Sequence, residues 1–133
     1  MAADTVNGYV TTATHQGITT IEFFHPQSNA LPRKILESLA HEIHAAGADR
    51  NTKVIVLRSA GEKAFCAGAS FTELSSITTD KEGFAFFSGF ANVINAMRLC
   101  PKLIIGRIHG KCVGGGVGLA IDALGWQHGR SRV

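Results

Sequence analysis

The sequence lacks long hydrophobic runs. Its continuous apolar stretches, such as residues 54–57 and 103–105, are far shorter than the roughly 18 residues that a membrane-spanning helix needs. Residues 1–5 contain neither the basic segment nor the apolar segment of a secretory signal. We therefore expect a soluble, cytoplasmic protein that does not interact with a membrane.

Cysteine is also scarce. The three cysteines, Cys66, Cys100 and Cys112, are odd in number, widely spaced and set among apolar or glycine residues. Disulfide frameworks and zinc sites need paired or closely clustered cysteines. The sequence thus predicts reduced thiols and no metal site.

The chain has little excess charge. Its 13 Lys and Arg residues against 10 Asp and Glu residues give a net charge of +3. Part of this excess lies at Arg130 and Arg132, whereas a nucleic-acid-binding surface needs a concentrated basic patch. We expect no nucleic-acid partner. The length of 133 residues and the hydrophobic content of 45% suit one globular core.

Strands and helices alternate along the first two thirds of the sequence. Two stretches rich in β-branched residues, 8–14 and 18–24, flank a turn signal and predict a hairpin. Apolar residues at helical spacing after Pro32 predict a helix that ends at Gly47. Residues 54–57 and 103–105 show no polar alternation, which is typical of strands buried on both faces. The predicted class is α/β.

Two further helices precede the second of these strands. Ser70 and Glu73 have the spacing of a capping box, which predicts a short helix after Ser70. Residues 83–97 predict a longer helix, with an apolar stripe formed by Phe84, Phe87, Ala91, Ile94 and Met97. A third helix is expected at the apolar residues 119–121, after a cluster of glycines.

Residues 63–70 and 109–116 form two loops, and each joins a predicted strand to a predicted helix. Both loops are rich in alanine and glycine, so the backbone amides are the groups that a ligand can reach. Two such loops facing one another can direct two N–H donors at one negative charge, as in an oxyanion hole. Alternatively, the glycines serve only tight turns and close packing. Residues 114–121 do not fit the dinucleotide-binding pattern, and residues 106–112 do not fit a phosphate loop.

The order and spacing of these segments resemble the crotonase family, from about Gly8 to Ile121. The resemblance implies a spiral of strand-strand-helix units, an acyl-CoA thioester as ligand and enoyl-CoA hydratase/isomerase chemistry in fatty acid metabolism. Coenzyme A would enter as part of the substrate, with no separate cofactor, and the family forms homotrimers or hexamers. By position, the backbone amides of Ala69 and Gly115 form the oxyanion hole. The substrate-binding positions are Ala30, Ala67, Gly68, Gly114, Gly116 and Gly118.

The sequence departs from this family in three places. Ser70 stands where the family usually has aspartate, and Gly118 stands where hydratases place a glutamate. The family's second glutamate falls beyond Val133. We therefore expect an incomplete family core at residues 1–123 and a disordered, non-family tail at residues 124–133. An inactive truncated chain and an acyl-CoA-binding module are the alternatives to an enzyme.

Several other residues admit two interpretations. His41 and His44 lie one helical turn apart, but they fall outside the apolar stripe and fit a solvated face better than a metal site. His109, at the end of a strand, fits a structural role better than catalysis. Cys66 and Cys112 lack a nearby base and fit small buried residues better than nucleophiles. Phe84, Phe86, Phe87 and Phe90 either line an acyl pocket or pack in the core.

Overall fold

The computed structural model describes residues 5–131, with side chains through residue 123. None of the helices in this part is long and apolar enough to cross a membrane. The elements in chain order are β1 (Tyr9–His15), β2 (Ile18–Phe24), β3 (Ala30–Leu31), α1 (Arg33–Ala48), β4 (Val54–Ser59), β5 (Ala64–Cys66), β6 (Gly68–Ala69), α2 (Phe71–Ser75), α3 (Asp80–Leu99), β7 (Leu103–Arg107), β8 (Lys111–Cys112) and α4 (Gly115–Ser131).

The main sheet has four strands in the order β1-β2-β4-β7. The β1 and β2 strands form the predicted antiparallel hairpin, and positive φ angles at Gln16 and Gly17 make its tight turn. The β4 strand pairs in parallel with β2 on one side and with β7 on the other. Two small parallel pairs, β3 with β6 and β5 with β8, lie outside this sheet.

The main sheet buries one face only. Along β4, Ile55 and Leu57 are fully buried, whereas Val54 and Val56 are only half-buried, and Leu103 of β7 is 44% exposed. The prediction that these two strands are buried on both faces is therefore wrong. The described helices pack against a single face, so the apolar residues of the other face keep contact with solvent.

Helix α1 is confirmed in position and in orientation. Its buried residues, which include Ile35, Leu39 and Ile43, follow the predicted helical spacing, and the helix ends one residue after Gly47. The Lys102 ammonium group donates to the carbonyl oxygens of Ala46 and Asp49 at its end. A cation at this end satisfies carbonyl groups that have no partner within the helix.

Helix α3 begins earlier than predicted and presents a different face to the core. Thr79 and Glu82 form a complete capping box before Asp80, which the sequence interpretation missed. The buried stripe includes Phe86, Val93 and Met97, whereas Phe84 and Phe87 are 78% and 69% exposed.

Gly89 explains this orientation of α3. A Cβ atom placed on Gly89 would lie 2.8 Å from Leu36 Cδ1, so the missing side chain allows α3 to pack closely on α1. Rotating the helix to bury Phe84 and Phe87 would remove this close contact. The predicted stripe through these two residues is therefore wrong.

The backbone of α4 continues to Ser131, although the sequence predicts an unstructured tail from residue 124. Gly125 and Gly129 each lower helix propensity by only about 1 kcal/mol, and the segment contains no proline. Residues 132–133 lie outside the described residues. The predicted boundary between a family core and a tail at residue 123 stays a prediction.

Candidate functional site

The two glycine-rich loops start at neighbouring strand ends. Because β4 and β7 are adjacent and parallel, the segments that follow them leave the same edge of the sheet. The loops then pair with each other through β5 and β8, with Cys66 opposite Cys112. The Val113 amide donates to the Cys66 carbonyl oxygen at 3.0 Å, which extends the pairing toward the second glycine cluster.

Gly68 and Gly114 lie where the two loops run close together. Both have positive φ angles, +97° and +55°. A Cβ atom on Gly68 would lie 3.0 Å from the Val113 carbonyl oxygen and 3.8 Å from Gly114 Cα. A larger residue with the same backbone conformation would therefore be strained and would also push the loops apart.

Ala69 and Gly115 each follow one member of this contact by a single residue. Ala69 ends β6 and is exposed to solvent. Gly115 is the first residue of α4, where an amide has no carbonyl partner one turn earlier in its own helix and lies at the positive end of the helix dipole. Ala69 and Gly115 therefore lie on adjacent loops, and their role as donors stays a prediction. That the N–H groups of Ala69 and Gly115 point toward the same atom of a ligand stays a prediction.

Three of the predicted substrate positions, Ala30, Ala67 and Gly68, also lie together. Ala30 of β3 pairs with Gly68 of β6, and the Ala67 amide donates to the Asn29 carbonyl oxygen at 3.1 Å. Ala30, Ala67 and Gly68 therefore form one short backbone surface next to Ala69.

Asn29 fixes this surface, and the sequence interpretation did not assign it a role. Its Nδ2 donates to the carbonyl oxygens of Ala60 and Ala64, at 2.8 and 2.9 Å, and its Oδ1 accepts from the His25 amide at 2.7 Å. The residue is buried with a φ angle of +60°. Asparagine tolerates this left-handed conformation better than most residues, and that preference is the signal in the sequence.

Ser70 caps α2 as predicted, because its hydroxyl oxygen accepts from the Glu73 amide at 3.2 Å. The second half of the predicted capping box is wrong. The Ser70 amide donates to the Leu31 carbonyl oxygen, and the Glu73 carboxylate accepts from the Arg33 amide at 2.8 Å. Glu73 therefore links α2 to the start of α1.

The glycines of α4 face closely packed neighbours. A Cβ atom on Gly115 would meet the Phe90 ring at 2.6 Å, and one on Gly116 would lie 2.3 Å from the Cys66 carbonyl oxygen. A Cβ atom on Gly118 would lie 2.9 Å from Ile94 Cδ1. These contacts give the glycines a packing function. Substrate binding by Gly114, Gly116 and Gly118 stays a prediction.

Asp122 is the carboxylate of α4 that follows Gly118. Desolvation raises the pKa of this carboxyl group, and the positive charge of Arg98 acts in the opposite direction. Asp122 lies seven residues after Gly115, about 10 Å along the helix axis. Asp122 therefore lies about two helical turns from the Gly115 amide.

The thiols near the loops are poorly suited to nucleophilic catalysis. Burial raises the pKa of Cys66 to about 11 and also raises the pKa of Cys112. A thiol must ionise to attack, so these shifts favour the structural interpretation. His41 and His44 are exposed, as expected for a solvated face. No group of three potential metal ligands occurs within residues 5–123.

The four phenylalanines of α3 divide between the two interpretations. Phe86 is buried, and Phe90 packs against Gly115. Phe84 and Phe87 face solvent and do not pack in the core of the described chain. The structure thus supports core packing for Phe86 and for the partly buried Phe90, and an acyl pocket lined by Phe84 and Phe87 stays a prediction.

Comparison with known proteins gives matches over most of the described chain. A family model described as Enoyl-CoA hydratase/isomerase matches residues 13–123. Human mitochondrial 3-hydroxyisobutyryl-CoA hydrolase is 34% identical over 107 residues, which are 79% of this chain and 26% of that protein. Mouse mitochondrial methylglutaconyl-CoA hydratase is 33% identical over 93 residues, which are 70% of this chain and 29% of that protein.

The solved structures agree in fold. The crystal structure of an enoyl-CoA hydratase/carnithine racemase from Magnetospirillum magneticum superposes with a TM-score of 0.76 at 30% identity. The superposition covers 85% of this chain and 43% of that one. The chain therefore spans less than half the length of each of these three proteins.

Proposed function

Because the chain belongs to the enoyl-CoA hydratase/isomerase family, also called the crotonase family, we propose that it binds an acyl-CoA thioester. In this proposal the Ala69 and Gly115 amides donate to the thioester oxygen. They stabilise the negative charge that develops on this oxygen as an enolate forms. Coenzyme A is part of the substrate, and no separate cofactor takes part.

One observation carries this proposal, namely the close approach of the loops at Gly68 and Gly114. The two loops follow adjacent parallel strands, a Cβ atom added to Gly68 would lie 3.8 Å from Gly114 Cα, and the next residues on the loops are Ala69 and Gly115. Charge stabilisation by two fixed backbone donors is the part of the chemistry that these residues can supply without a side chain.

We infer chemistry of the hydration or double-bond isomerisation type, to which the residues of this chain contribute the oxyanion hole. Both reactions, like decarboxylation, pass through an enolate, so they share the oxyanion hole and differ in the groups that transfer protons. Gly118 has no side chain and cannot transfer a proton, which argues against a two-glutamate hydratase. Our second candidate function, an acyl-CoA-binding chain without catalysis, rests on this glycine.

A spectroscopic experiment distinguishes loss of the Gly115 amide hydrogen from the steric effect of an added side chain. Gly115→Pro removes the amide hydrogen, whereas Gly115→Ala keeps it and places a Cβ atom against the same Phe90 ring. A conjugated enoyl-CoA would be titrated with each variant while its absorbance is recorded. A carbonyl polarised by the hole shifts this absorbance to longer wavelength.

We expect the shift to persist in Gly115→Ala and to disappear in Gly115→Pro. Ser70→Ala should keep it as well, because the serine is only a helix cap worth about 1 kcal/mol. Circular dichroism would verify that every variant is folded. An equal shift in folded Gly115→Pro and Gly115→Ala would exclude Gly115 as a donor.

A further inference from the structure

A cleft of about 390 Å³ lies at the carboxyl ends of β4 and β7, and the proposed function does not use it. Its walls include the last residues of β4, the loop after them, Arg107 at the end of β7 and His109. Ligands of open α/β sheets bind beyond the carboxyl ends of parallel strands, where the connecting loops diverge. The cleft thus has the position of a binding site.

Two buried polar atoms without a hydrogen-bond partner belong to residues of this cleft. Within residues 5–123, four buried side-chain polar atoms make no hydrogen bond. Two of them, Ser59 Oγ and His109 Nε2, belong to residues that line the cleft, whereas a third, Arg58 Nε, forms an ion pair with the Glu22 carboxylate. A buried polar group without a hydrogen bond is destabilising. Two such groups in one cleft call for a bound partner.

The charges of the cleft favour an anion. Arg58 and Arg107 are directly paired in the register of β4 and β7, so both guanidinium groups project from the same face of the sheet. Glu22 is the carboxylate near Arg58, with Oε1 3.2 Å from Nε, and its other oxygen accepts from the Tyr9 hydroxyl at 2.7 Å.

Arg107 forms no ion pair with another residue of the described chain and is exposed at the cleft. Glu62 also lines the cleft, but it is exposed. One guanidinium group therefore remains available for an anion.

We propose that this cleft binds the phosphoryl group of a small molecule. Arg107 supplies a fork of N–H donors for two oxygens, and Ser59 and His109 supply single donors from the buried side. The volume exceeds that of a phosphate ion, so the phosphoryl group is carried on a larger body. This site is separate from the oxyanion hole, because it is built from side chains of other residues.

The test follows the backbone amides of the whole chain by two-dimensional NMR while inorganic phosphate is added at constant ionic strength. Adenosine monophosphate and adenosine are parallel titrations that separate the phosphoryl group from its carrier. Acetate tests whether any small anion suffices. Coenzyme A and its form without the 3′-phosphate show whether the phosphoryl group belongs to the coenzyme.

Arg107→Gln is the diagnostic variant, and Arg50→Gln is its matched control. Both residues are exposed and both substitutions remove one positive charge, but Arg50 lies in the turn after α1. We expect phosphate to shift the amides of residues 58–62 and 107–109 and to bind about tenfold more weakly in Arg107→Gln alone, a loss of about 1.4 kcal/mol.

Three results would overturn the proposal. The first is the absence of shifts at these residues with every phosphate compound. The second is equal weakening in Arg107→Gln and Arg50→Gln, which would indicate general attraction of anions to a basic chain. The third is binding of acetate as tight as that of phosphate. None of these results bears on the Ala69 and Gly115 amides, so the proposed function would stand or fall separately.

Discussion

Asn29 connects three segments that must meet before the first loop can take its shape. Its carboxamide bonds the His25 amide on one side and the carbonyl oxygens of Ala60 and Ala64 on the other. Water cannot replace these bonds at a buried position. The positions of Ala30 and Ala67 therefore depend on a side chain that does not itself belong to the proposed site.

We predict that Asn29→Ala lowers the free energy of unfolding by about 2 to 4 kcal/mol, because three backbone groups lose their partner. Asn51→Ala, a matched change at an exposed turn residue, should alter it by less than about 0.5 kcal/mol. Urea titrations of the two variants and the parent chain would measure both values. A loss below about 1 kcal/mol for Asn29→Ala would contradict the clamping role.

Cys66 should make the stability depend on pH in the alkaline range. Burial raises its pKa from 9.0 to about 11, so the folded chain favours the neutral thiol. The resulting stabilisation is complete below pH 9 and is lost as the pH rises through about 11. A shift of this size corresponds to at most about 2 to 3 kcal/mol.

The measurement is the free energy of unfolding of the parent chain and of Cys66→Ala between neutral and alkaline pH. Tyr9, whose pKa is raised to about 12, contributes equally to both proteins. We expect the stability of the parent to fall more steeply with pH than that of the variant. Parallel pH profiles would show that the Cys66 thiol is not shielded from solvent.

At the scale of elements, the glycines of α4 set how closely the helix approaches its neighbours. Gly116 faces the Cys66 carbonyl oxygen, which belongs to the backbone of β5 and cannot move alone. Gly118 faces the end of the Ile94 side chain, which can change rotamer. The same substitution therefore has different consequences two residues apart.

We predict that Gly116→Ala destabilises the chain by about 2 to 3 kcal/mol, because strand and helix must separate. Gly118→Ala should stay within about 1 kcal/mol of the parent, since the better helix propensity of alanine offsets the movement of Ile94. Thermal and urea unfolding of the two single variants would compare them directly. Similar losses of unfolding free energy in the two variants would mean that Gly116 has no closer contact with β5 than Gly118 has with Ile94.

The elements were predictable from the sequence to the extent that local signals specify them. The hairpin, α1 and the short α2 follow from turn residues, periodicity and caps. The buried face of α3 was not predictable, because Phe84, Phe86, Phe87 and Phe90 surround the helix. The buried face includes Gly89, where α3 packs closely on Leu36 of α1. Contacts between distant segments leave no local pattern.

The candidate site was also predictable only where local sequence specifies it. Its loops were predictable because alanine and glycine at the ends of two strands expose backbone amides, and the family resemblance assigned Ala69 and Gly115. The clamp by Asn29 and the link from Glu73 to Arg33 join residues 31 to 40 positions apart. Such bonds depend on the assembled fold and have no counterpart in the spacing of motifs.

At the scale of the whole molecule, the sheet presents its second face to solvent. Ile18 and Leu103 are 48% and 44% exposed, and Val54 lies half-buried between them in the sheet register. Val117 and Ile121 of α4 are also exposed. The described chain thus carries apolar surface on two sides. All residues of the two proposed binding sites nevertheless belong to the described chain.

The last prediction is that the 133-residue chain has no appreciable enoyl-CoA hydratase activity. Addition of water needs a positioned base and acid as well as an oxyanion hole, and Gly118 offers no group that transfers a proton. Asp122, one turn after Gly118, lies about 10 Å along the helix axis from Gly115. The backbone donors alone contribute a few kcal/mol of charge stabilisation.

Loss of the enoyl absorbance of crotonyl-CoA would measure the activity of this chain, after intact-mass analysis has verified that the protein ends at Val133. A full-length hydratase of the family, assayed under the same conditions, is the positive control. We expect the red shift of a bound conjugated enoyl-CoA without turnover, because polarising the carbonyl does not require proton transfer. Turnover within about tenfold of the control would show that a group other than residue 118 transfers the proton.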